Sequence, residues 1–209
     1  MKKLLALVLS LMMVLSFCAM SASAEGEVIN VMYGGGTPET LDPALNSAST
    51  GSNTIRLAFC GLMGTQVVDG VASKAPEMAE SYEVSEDGTV YTFTLRDNVK
   101  FHNGADVTVD DILYSFKTCA ATAVETSLVE ALSNIESIKA SDDNTSLVIQ
   151  LKKPSAEFLS YLAYVYISPK DYKDGKTKPI GTGPFKFVSR SVQENVVLEK
   201  NADYYGTPA

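Results

Sequence analysis

Residues 79–116, AESYEVSEDGTVYTFTLRDNVKFHNGADVTVDDILYSF, decide how this chain is read. From Val90 to Arg96, Tyr91, Phe93 and Leu95 share one face and Thr92, Thr94 and Arg96 the other, which is the alternation of a half-buried strand. Glu86, Asp87 and Gly88 separate that run from the β-rich segment before it. Glycine tolerates positive φ, so the two runs are expected to fold back on each other as a hairpin. Thr108 followed three residues later by Asp111 is a variant capping box, and Ile112, Leu113 and Phe116 then fall on one helical face. The whole stretch reads strand, turn, strand, short strand, His-Asn-Gly turn, helix.

Upstream, Val28 to Tyr33 is a short β-rich run that Gly34, Gly35, Gly36, Thr37 and Pro38 break. Neither a Gly-Lys-Ser/Thr ending nor a dinucleotide fingerprint accompanies the three glycines, so they read as a turn and not as a phosphate cradle. Leu41-Asp42-Pro43 follows, with the proline biasing Asp42 toward an extended backbone. Thr50 to Asn53 then form a polar lead into the apolar face of Ile55, Leu57, Ala58 and Leu62. Ala75 to Glu80 bridges into the central stretch.

Downstream, Val124, Leu128, Val129 and Leu132 recur at helical spacing and are expected in the core. Ile135 to Ala140 and Ser146 to Leu151 read as a second hairpin across Asp142-Asp143-Asn144. A calcium loop would need further carboxylates and a glycine at fixed offsets, and these are absent. Pro154-Ser155 ends that strand and opens a helix with Phe158, Leu159 and Leu162 on one face. Tyr161, Tyr164 and Tyr166 cluster beyond it; packing with the hydroxyls at the surface is favoured over lining a cleft. Lys170, Lys173, Lys176 and Lys178 interleave with Asp171 and Asp174 on a solvated loop. Gly181-Thr182-Gly183-Pro184 is a tight turn with its backbone uncovered, and Phe185 to Val188 and Asn195 to Leu198 follow as β-rich runs.

The N-terminus has Lys2 and Lys3, an apolar run from Leu4 to Phe17, then Ala22-Ser23-Ala24. That is the layout of a secretory leader, with cleavage expected after Ala24, and the run is short of the roughly 20 residues a spanning helix needs. A lipid-anchored alternative through Cys18 stays open, disfavoured by Phe17 just before it. Removing residues 1–24 takes away two lysines and no acid, so the formal charge of -8 becomes -10. Such an excess of acid repels phosphate backbones and anionic lipid heads, which disfavours nucleic-acid and membrane-surface roles. Cys60 and Cys119 remain, either as a bridge or as two buried thiols.

Catalysis finds little support. His102 is the single histidine of the chain, no Gly-x-Ser-x-Gly elbow is present, and a metal site would need several ligands at fixed spacing. His102 is expected to serve turn structure. Neither a metal nor a cofactor is expected, and an exported hydrolase is the disfavoured competing class.

The central stretch resembles the signature region of the family 5 extracellular solute-binding proteins. The matching features are the Ala-Glu-Ser-aromatic segment, the Asp-Gly hairpin, the aromatic-Thr-Phe-x-Leu-Arg strand and the Val-Lys-Phe-His-x-Gly turn. Thr40-Leu41-Asp42-Pro43 and Ile180 to Phe185, with Leu198 to Asn201 and Asn201 to Gly206, fit in the same order. The resemblance implies an α/β, periplasmic-binding-protein-like lobe. A mixed sheet from Val28 to Tyr33 and the segments after Phe185 would carry an inserted domain of antiparallel hairpins and helices. Its divisions would be residues 1–24 leader, 25–46 first part of lobe one, 47–166 insert and 167–209 second part of lobe one, with the second lobe missing. An isolated piece of this kind is expected to self-associate through apolar surface left bare.

By the same resemblance the protein captures a peptide, nickel complex or similar small solute outside the cytoplasm, at the cell surface or in a periplasm. It would deliver that solute to the permease subunits of an ABC importer, through lobes that close by a hinge. A surface sensory protein using the same fold is the alternative reading. Ser47, Ala48, Ser49 and Thr50 would line the ligand cleft, being short enough to let a ligand backbone approach, with the Gly181, Thr182 and Gly183 turn beside it. In peptide-binding members the carboxylate that recognises a free amine lies in a later segment, beyond Ala209.

Overall fold

The computed structural model describes residues 28–32, 40–43, 49–191 and 194–206, without the side chains of 30, 32, 49–51 and 68. The expected leader, Cys18, the Gly34 to Pro38 turn, Ser47 and Ala48 lie outside the described residues. Among the described residues nine strands and four helices follow in chain order: β1 (Val28–Met32), α1 (Ser49–Ala58), β2 (Met63–Val68), β3 (Val71–Pro76), β4 (Ala79–Val84), β5 (Val90–Leu95), α2 (Val109–Thr122), α3 (Thr126–Ser133), β6 (Ile135–Ala140), β7 (Ser146–Leu151), α4 (Phe158–Leu162), β8 (Phe185–Ser191) and β9 (Asn195–Lys200).

The central stretch builds one edge of a four-stranded antiparallel sheet in the order β4-β5-β7-β6. Alternation places Tyr91 and Phe93 of β5 opposite Ile149 and Leu147 of β7 on one face, and all four are buried. Ile112 and Phe116 of α2 and Phe158 and Leu162 of α4 join them in the main core. Tyr91 also packs against Phe158 with tilted rings whose centroids are 5.0 Å apart, and donates its hydroxyl to the Ser155 carbonyl at 3.0 Å.

Both hairpins of this sheet close with one chemical device, at Ser85-Glu86-Asp87-Gly88-Thr89 and Ser141-Asp142-Asp143-Asn144-Thr145. The fourth residue takes positive φ, 69° at Gly88 and 59° at Asn144. The third residue's carboxylate accepts from the serine hydroxyl at 2.6 Å and the threonine amide at 3.1 Å in both turns. Hydrogen bonds from these serine and threonine groups hold the Asp87 carboxyl below its ordinary range and bring Asp143 down to about 2.

The capping box at the start of α2 forms as expected: the Thr108 hydroxyl accepts from the Asp111 amide, and the Asp111 carboxylate accepts from the Thr108 amide at 2.8 Å. Asp111 also accepts from the Lys170 amide at 2.7 Å, fastening the lysine-rich loop to the helix. Thr108→Ala is expected to cost about 1 kcal/mol, read as a lower urea midpoint with an unchanged slope. A midpoint equal to that of the parent would show that Asp111 holds this end alone.

The sheet expected from Val28 to Tyr33 and the segments after Phe185 also forms, in the order β1-β9-β8. Its pairings are antiparallel, and no parallel pair of the expected mixed sheet occurs among the described residues. Val196 and Leu198 of β9 pack with Leu41 as a small separate core.

Two features depart from the sequence reading. A two-stranded ribbon, β2 with β3, turns through Asp69 and Gly70, both at positive φ, where only a connection into the central stretch was read. In addition, Val124 and Val129 are not core. The helical spacing runs across a break, because α2 stops at Thr122 and α3 restarts after Glu125, leaving Val124 72% exposed and Val129 36% exposed.

Candidate functional site

α1 shows how the site is built from residue spacing. Ile55 and Ala58 turn inward and are buried, while Ser52 and Arg56, one helical turn apart, share another face. That face forms one wall of a groove of about 550 Å³. The end of α2 and the connection into α3, from Cys119 through Thr122 to Leu128, form the opposite wall. Tyr161, Tyr164 and Tyr166 line it as well, so the aromatic cluster lines a cleft and does not simply pack at the surface.

Backbone contacts fix these tyrosines. Tyr166 sits in an isolated β-bridge with Gly61, the next amide, Ile167, donates to the Cys60 carbonyl at 2.9 Å, and the Tyr164 amide donates to the Tyr161 carbonyl. Lys74, reaching from β3, lies 4.9 Å over the Tyr164 ring. The groove narrows into a slot of about 50 Å³ that shares Pro43, Cys119, Tyr164 and Tyr166 and ends between Tyr114, Tyr172 and Asp42.

Burial governs the ionisable groups of the groove. Burial pushes the Tyr166 hydroxyl up, and the neighbouring Arg56 guanidinium draws it partly back. Burial also pushes the Cys119 thiol up to about 11, so it is no thiolate at neutral pH. The Glu125 carboxylate caps α3, accepting from the Leu128 amide at 2.7 Å. Among the described residues no three His, Cys, Asp or Glu side chains gather as a metal site.

The residues read from the sequence as ligand-lining are placed unevenly. Ser49 and Thr50 open α1, whose later residues form the groove wall; Ser47 and Ala48 lie outside the described residues. Gly181, Thr182 and Gly183 line neither the groove nor the slot. All three are buried against the end of α1, where the Gly183 amide donates to the Ala58 carbonyl at 3.0 Å. Their backbone is largely spent inside the protein, because His102 and Asn201 take it up.

His102 closes that arrangement. Its amide donates to the Gly181 carbonyl at 2.9 Å, its Nδ1 accepts from the Gly181 amide at 3.3 Å, and its Nε2 lies 3.0 Å from the Gly183 carbonyl. The Gly183 carbonyl also accepts from the Asn201 side-chain amide at 3.0 Å. Both ring nitrogens are therefore engaged with backbone, which agrees with the structural role read for this histidine. Cys60 and Cys119 are both free, which settles the alternative of a bridge. Burial, then the nearby Glu77, pushes the Cys60 thiol far up. Burial likewise raises the Glu77 carboxyl, although that group accepts from the Gly61 amide at 3.1 Å.

Sequence reasoning missed Arg56, Thr122 and Glu125. The available signal was the polar pair Ser52 and Arg56 beside Ile55 on a short helix, which marks the edge of the apolar face.

Comparison with known proteins agrees with this architecture. The model for bacterial extracellular solute-binding proteins, family 5 Middle, matches residues 75–209. The dipeptide-binding protein of Escherichia coli K12 is 29% identical over 92% of this chain, and the alignment takes in 41% of that protein. The nickel-binding periplasmic protein of the same organism is 33% identical over 64% of the chain and 27% of its own length. Among solved structures, the periplasmic binding protein DppA of Helicobacter pylori, in complex with the peptide STSA, superposes with a TM-score of 0.72 at 30% identity. That match covers 83% of this chain and 39% of the solved one, so the chain spans about two fifths of such a relative. With its signature hairpin, capped helix and tyrosine-lined groove all in place, the chain belongs to the family 5 bacterial extracellular solute-binding proteins.

Proposed function

We propose that this chain supplies one wall of a solute-binding cleft, outside the cytoplasm, in a protein that hands a short peptide or similar small solute to ABC-importer permease subunits without altering it. The observation that carries the reading is the groove. Its volume of about 550 Å³ lies within the range of small-ligand sites, and it combines aromatic and aliphatic surface with the polar side chains of Ser52, Arg56, Thr122, Glu125 and Ser127. Relatives named for dipeptide and nickel binding support the solute class. Ser47 to Thr50, leading into α1, are proposed to extend this wall, and residues 47–166 to form the inserted domain. The leader, the divisions at 24, 46 and 166, and closure by a second lobe belong to the same proposal.

The test is a titration of isotopically labelled protein with di- and tripeptides to millimolar concentration. Shifts are expected to concentrate at Ser52, Thr122 to Leu128 and Tyr164 to Tyr166. Tyr166→Ala is expected to weaken binding by about tenfold. Shifts confined to other faces, or none at all, would reject the groove as the site.

A further inference from the structure

The groove wall carries a cation that is not salt-bridged to the one acid of the groove lining, Glu125. Arg56 is exposed on the groove face of α1. The ion pairs among the described residues join Lys100 to Asp106, Lys170 to Asp110 and Lys186 to Asp203, and none of them includes Arg56. Glu125, the carboxylate on the facing wall, is committed to the first turn of α3. In a chain whose formal charge is -8, the groove therefore presents an exposed guanidinium that forms no salt bridge and lies beside tyrosine rings.

We propose that Arg56 is the anion-recognising residue of the groove, and that the ligand it selects carries a single carboxylate next to an aromatic or branched apolar group. This rests on the groove being the solute site. A guanidinium presents paired N–H donors in a rigid fork that matches a carboxylate, and its plane also lies well against aromatic faces. Tyr166, whose hydroxyl Arg56 adjoins, gives the guanidinium a neutral neighbour that does not cancel its charge. Ile55, Val124 and Leu128 supply the apolar surface for the rest of the ligand. A phosphate would bring a second charge and three acceptor oxygens to a wall with one guanidinium, so a carboxylate is the better match. The overall acidic charge repels anions at a distance, so selection must come from this short-range contact, with little salt dependence at close range.

The test uses three probes on the full chain, followed by nuclear magnetic resonance: alanyl-phenylalanine, its C-terminal amide, and N-acetyl-phenylalanine. The free dipeptide is expected to bind at least tenfold more tightly than the amide. Arg56→Ala should erase that preference by weakening the acid and leaving the amide unchanged, while Arg56→Lys should retain part of it. Equal retention of the acid by N-acetyl-phenylalanine would show that carboxylate and ring suffice, and loss of only that probe would show that the carboxylate acts in a peptide; either supports the assignment. Acid and amide binding equally in the groove, or both weakened alike by Arg56→Ala, would overturn the assignment while leaving the groove as the site. Absence of any groove shifts with all three probes would remove both. Because Arg56 is exposed, the variants keep the fold, and the unchanged spectrum of the sheet residues confirms it.

Discussion

Gly181→Ala is expected to destabilise the protein by roughly 3 kcal/mol or more. A Cβ at this position would lie 2.0 Å from the Ala58 carbonyl oxygen and 2.8 Å from a Phe59 ring carbon. The obstructing oxygen is backbone at the end of α1 and already accepts from the Gly183 amide, so it cannot rotate aside without breaking that hydrogen bond. Relief would require separating the turn from the helix, which also pulls on His102 and Asn201. Gly175→Ala provides the contrast, since its new methyl would meet a flexible Asp42 carboxylate oxygen at 3.3 Å, and a much smaller loss is expected. Urea unfolding of the two variants decides the matter. Equal midpoints would mean that the turn is not pressed on α1 as described.

The second large effect is a dependence of stability on pH set by His102. Nδ1 accepts a hydrogen bond from the Gly181 amide, so the proton of the neutral ring sits on Nε2 and is donated to the Gly183 carbonyl. A second proton would have to enter at Nδ1, pointing at an N–H. Burial, reinforced by Lys186 and opposed by the Gly183 carbonyl, lowers the pKa from 6.5 to about 4. The unfolded chain takes up its proton near 6.5 and the folded protein does not until about 4. The contribution is thus complete above 6.5, declines as pH falls through that window, and levels off below about 4. Between pH 7.5 and 5.0 the loss amounts to about 2 kcal/mol. His102→Gln should lack this component, leaving only the shared titration of the carboxylates. The chain has one histidine, so its ring resonance can be followed alone. A midpoint near 6.5 in the folded protein would refute the clasp.

The legible parts of the fold were those governed by neighbours in sequence. Strand alternation at Tyr91 and Phe93, the capping box at Thr108 and Asp111, and the acidic turns at 86–88 and 142–144 all act within a few residues. The β2–β3 ribbon was overlooked although Asp69-Gly70 between valines is a hairpin signal. As an exposed arm it buries neither face fully, so alternation is weak there. The spacing through Val124 and Val129 misled because periodicity does not register a helix that stops and restarts in phase. Of the proposed groove, Arg56 was not legible, since an exposed arginine on a short helix has no local mark of function. The Gly181 to Gly183 turn was recognised as tight, yet its partners, Ala58 and His102, lie far away in sequence and become visible only in three dimensions.

The pairing of β1 with β9 joins the first and last strands among the described residues. A ribosome releasing this protein would expose β1 long before its mate existed. The two hairpins of the four-stranded sheet, each with its own Ser-acid-Asp closure, can mature early at small entropic cost, whereas the outer sheet waits until β9 has been made.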